Sequence, residues 1–516
     1  MSLHDAPTHV RLVLRALSRH PERVAFRIGA SDISYSTTLD LIGRMQGVLA
    51  AAGVGRGDMV AGLAANRFEA WCAGVAAGGL GAAITPLHPL ASVDDHLAQV
   101  ADSESTFLVV DPQRFGTRAG ELAARAGVRG TFTLGPAGYG DDLLAAAMAS
   151  ACSAKDLSQL DDIAALNYTG GTTGRAKGVL RGNREVSAGV LSVLGNFPLP
   201  QRPVYLAAAP ISHAAGLFVT PVLARGGTVE LLPGFDPELV IRRIRDGGAN
   251  FTLLVPSMIY ALLNEPGWSH ADVKSLELLV YGASPMSPTR LQEGLERMGP
   301  VFCQLYGQTE CYVISTLARA DHDPLRPELL AAAGHPLIDC DLRLVDDEGR
   351  EVESGERGEV CVRAPYAMRG YWKQPEQTTA TVRDGWIHTG DVAWQDPQGR
   401  IYIVDRKKDM IISGGFNIYP RDIEDVLTAH PAVAVAAVIG VPDEKWGEAV
   451  KAFVVLRSDT RASAHDLADW VRSRKGSVYV PKSFEIAERL PLSAVGKVDK
   501  RALRATYWAD SERQVN

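Results

Sequence analysis

The sequence predicts an α/β fold: a large N-terminal domain of doubly wound, mixed sheets carrying a β-rich section from about residue 334, then a small α+β C-terminal domain. Three observations carry this. Over residues 1–150, and again over 204–298, strand-like and helix-like patterns alternate, as they do when a largely parallel sheet is covered on both faces. After Ala333 the segments become short alternating strands, broken by Asp-Glu-Gly and Asp-Pro-Gln-Gly turns. Beyond the charged run Asp405-Arg406-Lys407-Lys408-Asp409 a helix, two strands and a helix fill about a hundred residues, enough for an independent domain.

Taken in order, residues 10–18 read as an amphipathic helix, 24–28 as a strand, 39–52 as a helix, 59–63 as a strand, 70–78 as a helix and 106–110 as a strand. The apolar run 163–166 is a strand ahead of a glycine-rich loop. Runs 251–255 and 276–280 are the clearest buried strands, and 301–305 is a short one. Strands follow at 340–345, 358–363 and 401–404. The last part has a helix over 420–428, strands over 433–439 and 450–456, and a helix over 464–474. The charged run sets the expected boundary, with domains 1–407 and 408–516.

The chain has 516 residues, 46% hydrophobic and 22% charged, which excludes a disordered, collagen-like or coiled-coil protein. Its net charge is −7, which disfavours general nucleic-acid or membrane-surface binding. Cys72, Cys152, Cys303, Cys311, Cys340 and Cys361 form no zinc spacing and read as reduced, mostly buried thiols of a cytoplasmic protein. The first ten residues hold His4 and Asp5 and no apolar core, so no secretory signal is expected. The apolar stretch 70–84 is short and rich in Gly and Ala, a buried helix and turn rather than a membrane span.

The strongest local feature is Tyr168-Thr-Gly-Gly-Thr-Thr-Gly-Arg-Ala-Lys177-Gly178. Its glycines allow close backbone approach to an anion, Thr169, Thr172 and Thr173 add hydroxyls, and Arg175 and Lys177 add charge. It lacks the Gly-Lys-Ser/Thr of a Walker A loop. Gly53-Val-Gly-Arg-Gly57 follows a helix and reads as its C-cap, not as a dinucleotide loop. No G-x-S-x-G or H-E-x-x-H occurs. Tyr306-Gly-Gln-Thr-Glu310 offers an aromatic face, a hydroxyl and a carboxylate suited to a base and Mg²⁺. Trp386-Ile-His-Thr-Gly-Asp391 places a carboxylate after a turn, suited to ribose hydroxyls or simply to capping the turn. Met410-Ile-Ile-Ser-Gly-Gly-Phe-Asn-Ile-Tyr-Pro420 is glycine-rich, and Pro491-Leu-Ser-Ala-Val-Gly-Lys497 puts a lysine on a turn.

Together with Gly282-Ala-Ser-Pro285 and the Asp405–Asp409 run, these segments resemble, in order, the acyl-adenylate-forming (AMP-binding) superfamily of acyl-CoA synthetases, adenylation domains and luciferases. The Gly-Gly-Phe-Asn-Ile-Tyr-Pro version is most similar to the fatty- and aryl-acid CoA ligases. The resemblance implies an ATP-dependent acid–thiol ligase with Mg²⁺ and coenzyme A: acyl-AMP forms first, then a mobile C-terminal domain turns and CoA displaces AMP. It gives Thr169, Thr172, Thr173 and Lys177 to the phosphates, and Gly282, Ala283, Ser284 and Tyr306 to the adenine. Thr309 meets the α-phosphate, Glu310 the metal, and Asp391 and Arg406 the ribose. Lys408 is the hinge, Lys497 the adenylation lysine, and Gly414, Gly415 and Asn417 face the CoA step. His213 stands at the mouth of the acyl pocket, with a buried structural histidine as the rival reading. The loop departs from the family at Gly171 and Ala176, losing a hydroxyl and a fixed φ but no cation.

By the same resemblance Ala215, Val219, Tyr281, Val313 and Ile314 line the acyl pocket. Residues 211–224 hold no Asp or Glu, which argues against a free amino acid and for an apolar aliphatic or aromatic tail. Two alternatives stay open: an adenylating enzyme that hands the acyl group to a carrier protein or an amine, and a non-catalytic nucleotide-binding relative. The expected partners are the acid, ATP and CoA, with no nucleic acid and no integral membrane segment; a homodimer is compatible with all of this.

Overall fold

Strands of Val, Leu, Ile and Phe build two large sheets, described in a computed structural model over residues 6–169, 176–443, 445–493 and 497–508. In the nine-stranded sheet, Val204–Ala207, Phe251–Leu254, Leu278–Gly282 and Phe302–Gln308 lie side by side and parallel, joined through helices that include Pro237–Gly247 and Pro288–Met298. Phe251–Leu254 and Leu278–Gly282 are buried at every position, because helices or the other sheet cover both faces. The second of these strands starts two residues later than its apolar run suggests, since Leu276 still closes a turn onto Val273.

In the eight-stranded sheet, Met59–Leu63 pairs in parallel with Ala83–Pro86 and Phe107–Val110, and Ala83–Pro86 lies beside Ile163–Tyr168. The chain then returns antiparallel along Gly178–Gly182, with Tyr168 opposite Gly178. The threonine- and glycine-rich loop therefore joins an antiparallel pair. A large core fills the space between the sheets, and the first helix, His9–Arg19, adds Val10, Val13, Ala16 and Leu17 to it.

Two segments differ from the sequence reading for a steric reason. The strand expected over 301–305 runs on to Gln308 and turns into Cys311–Leu317 as a hairpin. At Gly307 a Cβ would stand 2.1 Å from the Tyr312 carbonyl oxygen, so only glycine lets the two arms approach this closely. Asp391 lies inside the strand Trp386–Gln395 rather than after a turn. The preceding Gly390, at φ +72°, makes a local kink that the Thr-Gly-Asp pattern presents as a turn.

Trp386–Gln395 and Ile401–Arg406 belong to the β-rich five-stranded sheet, where Asp391 and Arg406 are cross-strand neighbours. Past the 3₁₀ turn Lys407–Asp409 the chain enters a separate sheet formed by Ile411–Ser413, Phe416–Ile418, Val433–Asp443, Gly447–Leu456 and Ser483–Ile486. Helices Pro420–Thr428 and Ala464–Lys475 close over it, and Ile411, Ile423, Leu427, Val438, Val450 and Leu467 form its own core. The chain is thus a large domain of mixed sheets with a β-rich section and a small C-terminal α+β domain. All six cysteines are free. Among the described residues, no helix is long and apolar enough to cross a membrane.

Candidate active site

The buried carboxylate of Asp391 is the centre of a cluster drawn from three parts of the chain. Tyr306, at the end of its strand, donates its hydroxyl to Asp391 Oδ2 at 2.7 Å. Arg406, across the ladder, brings Nε to 3.2 Å from Oδ1. Burial and the neighbouring Asp391 push the Tyr306 phenol far up, so it stays a proton donor. Burial works against the Arg406 charge, but Asp391 and Asp409 outweigh it and hold its pKa above the usual arginine value.

Lys497, from the C-terminal tail, joins this cluster. Burial pushes its ammonium down to about 8, Arg406 adds repulsion, and Asp391 partly opposes both. The turn that presents it is closed by Ser493 N–H donating to the Lys497 carbonyl at 2.7 Å and by Lys497 N–H donating to Ser493 Oγ at 3.3 Å. A lysine about a hundred residues from Asp391 in sequence thus stands beside the same pair of side chains.

A second cluster surrounds Thr309 and Glu310. Tyr371 donates its hydroxyl to Glu310 Oε1 at 2.6 Å. Lys177 Nζ stands 4.7 Å over the Tyr371 ring and donates to Gln377 Oε1 at 3.0 Å. Tyr371 reaches this place because Gly370–Tyr371 forms an edge strand on Gly178–Gly182, with Tyr371 opposite Val179. Arg181, fully buried, donates to the Thr309 carbonyl oxygen and stacks 3.5 Å above the Tyr312 ring. Met368 N–H donates to the Glu310 carbonyl at 2.8 Å. Tyr371 and Arg181 were not among the residues the sequence singled out; each sits outside any glycine- or charge-marked motif.

At the neck of the glycine-rich loop, Thr169 N–H donates to the Lys177 carbonyl at 2.9 Å and Lys177 N–H to Thr169 Oγ1 at 3.2 Å. Thr172 and Thr173 lie outside the described residues. Gly282 ends its strand so close to the neighbouring one that a Cβ would stand 2.0 Å from the Leu305 oxygen. Ala283 follows at φ +64°, a left-handed conformation that costs a non-glycine residue about 1–2 kcal/mol. Ser284 is half-buried beside it.

The residues expected to line the acyl pocket fall in two core clusters. Ala215 and Val219 are buried on the turn of helix after His213. Val313 and Ile314 are consecutive on a strand and buried in the same core cluster as Ala215 and Val219. Tyr281 packs in a separate core cluster with Phe302 and donates its hydroxyl to His322 Nε2 at 3.0 Å. Leu278 and Val280 belong to the core cluster shared with Ala215 and Val313, and Leu279 and Tyr281 to the other. His213 lies 2.9 Å from Ser212 Oγ through Nδ1, and burial pushes its pKa down to about 3.

In the small domain, Gly414 and Gly415 form a tight turn at φ +58° and +81°, exposed together with Asn417. Lys408 has its pKa lowered by burial and by Arg406. Next to it Asp409 is paired with Arg504 at 2.8 Å, and burial pushes Asp405 up to about 6.

A phosphate-type loop, a strained turn beside an aromatic–carboxylate–guanidinium group, and a lysine supplied by a separate small domain define an adenylate-forming enzyme. The chain belongs to the AMP-binding enzyme family: the family model of the AMP-binding enzyme matches residues 13–372, and that of the AMP-binding enzyme C-terminal domain matches residues 422–497. It is 40% identical to a medium/long-chain-fatty-acid–CoA ligase of Mycobacterium tuberculosis, covering 99% of this chain and 92% of the relative. It is 37% identical to a feruloyl-CoA synthase of an Amycolatopsis species, covering 96% and 98%. Among solved structures, an amide bond synthetase of Marinactinospora thermotolerans superposes with a TM-score of 0.89 at 33% identity, covering 96% of this chain and 99% of that one.

Proposed function

We propose that this protein joins an acid with an apolar aliphatic or aromatic tail to coenzyme A in two steps. The acid's carboxylate attacks the α-phosphorus of ATP, the bond to the β-phosphate oxygen breaks, and acyl-AMP and pyrophosphate result. The CoA thiolate then adds to the acyl carbon, and AMP leaves with the electrons of the acyl–oxygen bond. The observation that carries this reading is Lys497 beside Asp391 and Arg406.

In the first step Lys497 supplies positive charge to the carboxylate as it approaches phosphorus, in surroundings that exclude water. Asp391, held by Tyr306 and Arg406, accepts the ribose hydroxyls. The Gly282–Ser284 turn and Tyr306 take the adenine. Thr309 reaches the α-phosphate, and Lys177 with the threonine loop takes the β- and γ-phosphates. Glu310 fits a Mg²⁺ ion, because a single carboxylate plus substrate phosphates is the ordinary coordination of that ion; bound there, it would neutralise charge on the phosphates.

The arrangement suits the first step. Gly414, Gly415 and Asn417 are exposed. For the thiol to follow, the small domain turns about Lys407–Asp409 near Lys408, withdraws Lys497 and presents that turn instead. His213, neutral at physiological pH, stands at the mouth of the acyl pocket with Ala215 and Val219.

An amine acceptor is the second reading, supported by the likeness to an amide bond synthetase. A panel of carboxylic acids, read by pyrophosphate release with and without CoA, tests the proposal. CoA should accelerate turnover and appear as a thioester. Release that CoA leaves unchanged, but that an amine accelerates, would favour the second reading.

A further inference from the structure

A second histidine ring packs against His213. His88 lies just beyond the strand Ala83–Pro86, and His213 lies beyond Val204–Ala207. Both follow the carboxyl ends of strands in parallel pairings, the edge at which open α/β sheets bind ligands. Ala83–Pro86 also runs parallel to Ile163–Tyr168, with Ile84 level with Ala165. The chain carrying His88 therefore leaves its sheet on the side from which Thr169 emerges. The rings of His88 and His213 meet edge to face, 4.4 Å between centroids. Asn66 pins the segment leading to His213: its Nδ2 donates to the Ala207 and Ala209 carbonyls at 3.0 and 2.9 Å, and its Oδ1 accepts from Ile211 N–H at 2.8 Å.

His88 is equally fixed. Its Nδ1 accepts Leu90 N–H at 3.1 Å, and its carbonyl accepts from His96 Nε2 at 2.9 Å. Burial pushes its pKa down to about 4, with His96 adding repulsion, so the ring is neutral and its one proton sits on Nε2. The residue is 8% exposed, and that N–H has no hydrogen-bond partner among the described residues. Buried donors are almost always paired in folded proteins; His96 Nδ1 also lacks a partner among the described residues, but of the two rings His88 is the one that meets His213. His88 bonds through the nitrogen facing its own loop.

We infer that His88 Nε2–H is a specificity-determining donor for the acid, so that the preferred substrate carries an acceptor oxygen, as hydroxyl, ether or carbonyl, on an otherwise apolar tail. The inference rests on the reading of His213 as the mouth of the acyl pocket. Dry surroundings that keep both rings neutral disfavour a charged tail. An acid lacking the oxygen leaves the donor unpaired and should lose about ten- to a hundredfold in kcat/KM.

The test compares matched acids, cinnamate against its ring-hydroxylated and ring-methoxylated derivatives and octanoate against hydroxyoctanoates, by pyrophosphate release. The wild type should prefer at least one oxygen-bearing member about tenfold or more. His88→Phe keeps a ring against His213 without the donor; it should abolish the preference and leave the KM for ATP unchanged. His88→Gln, which retains an N–H, should restore part of it. A wild type indifferent to the oxygen, or a His88→Phe enzyme that keeps the preference, overturns the inference and leaves Nε2–H as a donor to the His213 ring face alone. Pyrophosphate release from none of the acids is a different failure: it removes the ligase reading itself, and this inference with it.

Discussion

Replacing Asp391 with asparagine keeps the shape of the site and removes one charge. The Tyr306 hydroxyl, 2.7 Å from Oδ2, then donates to a neutral acceptor. A bond to a charged group is worth about 1.5–3 kcal/mol and a neutral one about 0.5–1.5, so about 1–2 kcal/mol is lost there. Arg406, 3.2 Å from Oδ1, loses its partner as well. Breaking a fully buried pair costs about 3–5 kcal/mol, but the Arg406 side chain is 43% exposed and solvent screens part of that. About 3–4 kcal/mol of support for adenylation should vanish in total, which is roughly a 10²–10³-fold loss at 1.36 kcal/mol per decade. The variant also carries a pH signature. Lys497, held at about 8, loses the one neighbour that raises its pKa. A lysine acts as a cation only below its pKa, so the fall of activity with rising pH should start at lower pH than in the wild type. ATP–pyrophosphate exchange measured across neutral to alkaline pH reads both effects, and far-ultraviolet circular dichroism confirms folding. Exchange within threefold of the wild type, with an unmoved alkaline limb, would refute the reasoning.

Three other substitutions probe neighbouring parts. Lys497→Ala should slow acyl-AMP formation about 10²-fold or more, the scale for one preorganised electrostatic group, while thioester formation from supplied acyl-AMP and CoA proceeds; equal loss in both half-reactions would contradict the assignment. Tyr371→Phe releases Glu310 Oε1 from its 2.6 Å bond and should lower adenylation about three- to tenfold, with a raised Mg²⁺ requirement in a metal titration. Tyr281→Phe leaves His322 Nε2 without its donor and should cost about 1–2 kcal/mol in a denaturant titration; an unchanged acid preference would make Tyr281 a core residue, and an altered one would support its place in the acyl pocket.

Element types were legible because burial imposes them. Strand runs at 24–28, 59–63 and 358–363 match the observed Val24–Ile28, Met59–Leu63 and Gly358–Arg363, since the apolar positions of each run are the ones the fold buries. Pairing direction was not legible. Nothing in the run 163–166 tells that its strand returns antiparallel across the glycine-rich loop, because direction depends on partners distant in sequence. The same limit hid Tyr371, whose position depends on a two-residue edge strand, and Arg181, whose burial depends on the Tyr312 ring above it. Tyr281, which family likeness grouped with the acyl-pocket residues, packs in a core cluster apart from Ala215, Val219, Val313 and Ile314, a division that depends on the whole sheet and not on any local run. Tyr306, Asp391, Arg406 and Lys497 were legible as motif residues, but only the fold puts them within reach of one another.

The most direct test incubates the purified protein with an acid, ATP, Mg²⁺ and CoA and identifies every product by mass spectrometry. The account predicts acyl-CoA, AMP and pyrophosphate in equal amounts, with acyl-AMP accumulating when CoA is withheld. ADP and phosphate in place of AMP and pyrophosphate, or acyl-AMP that CoA never consumes, would contradict it.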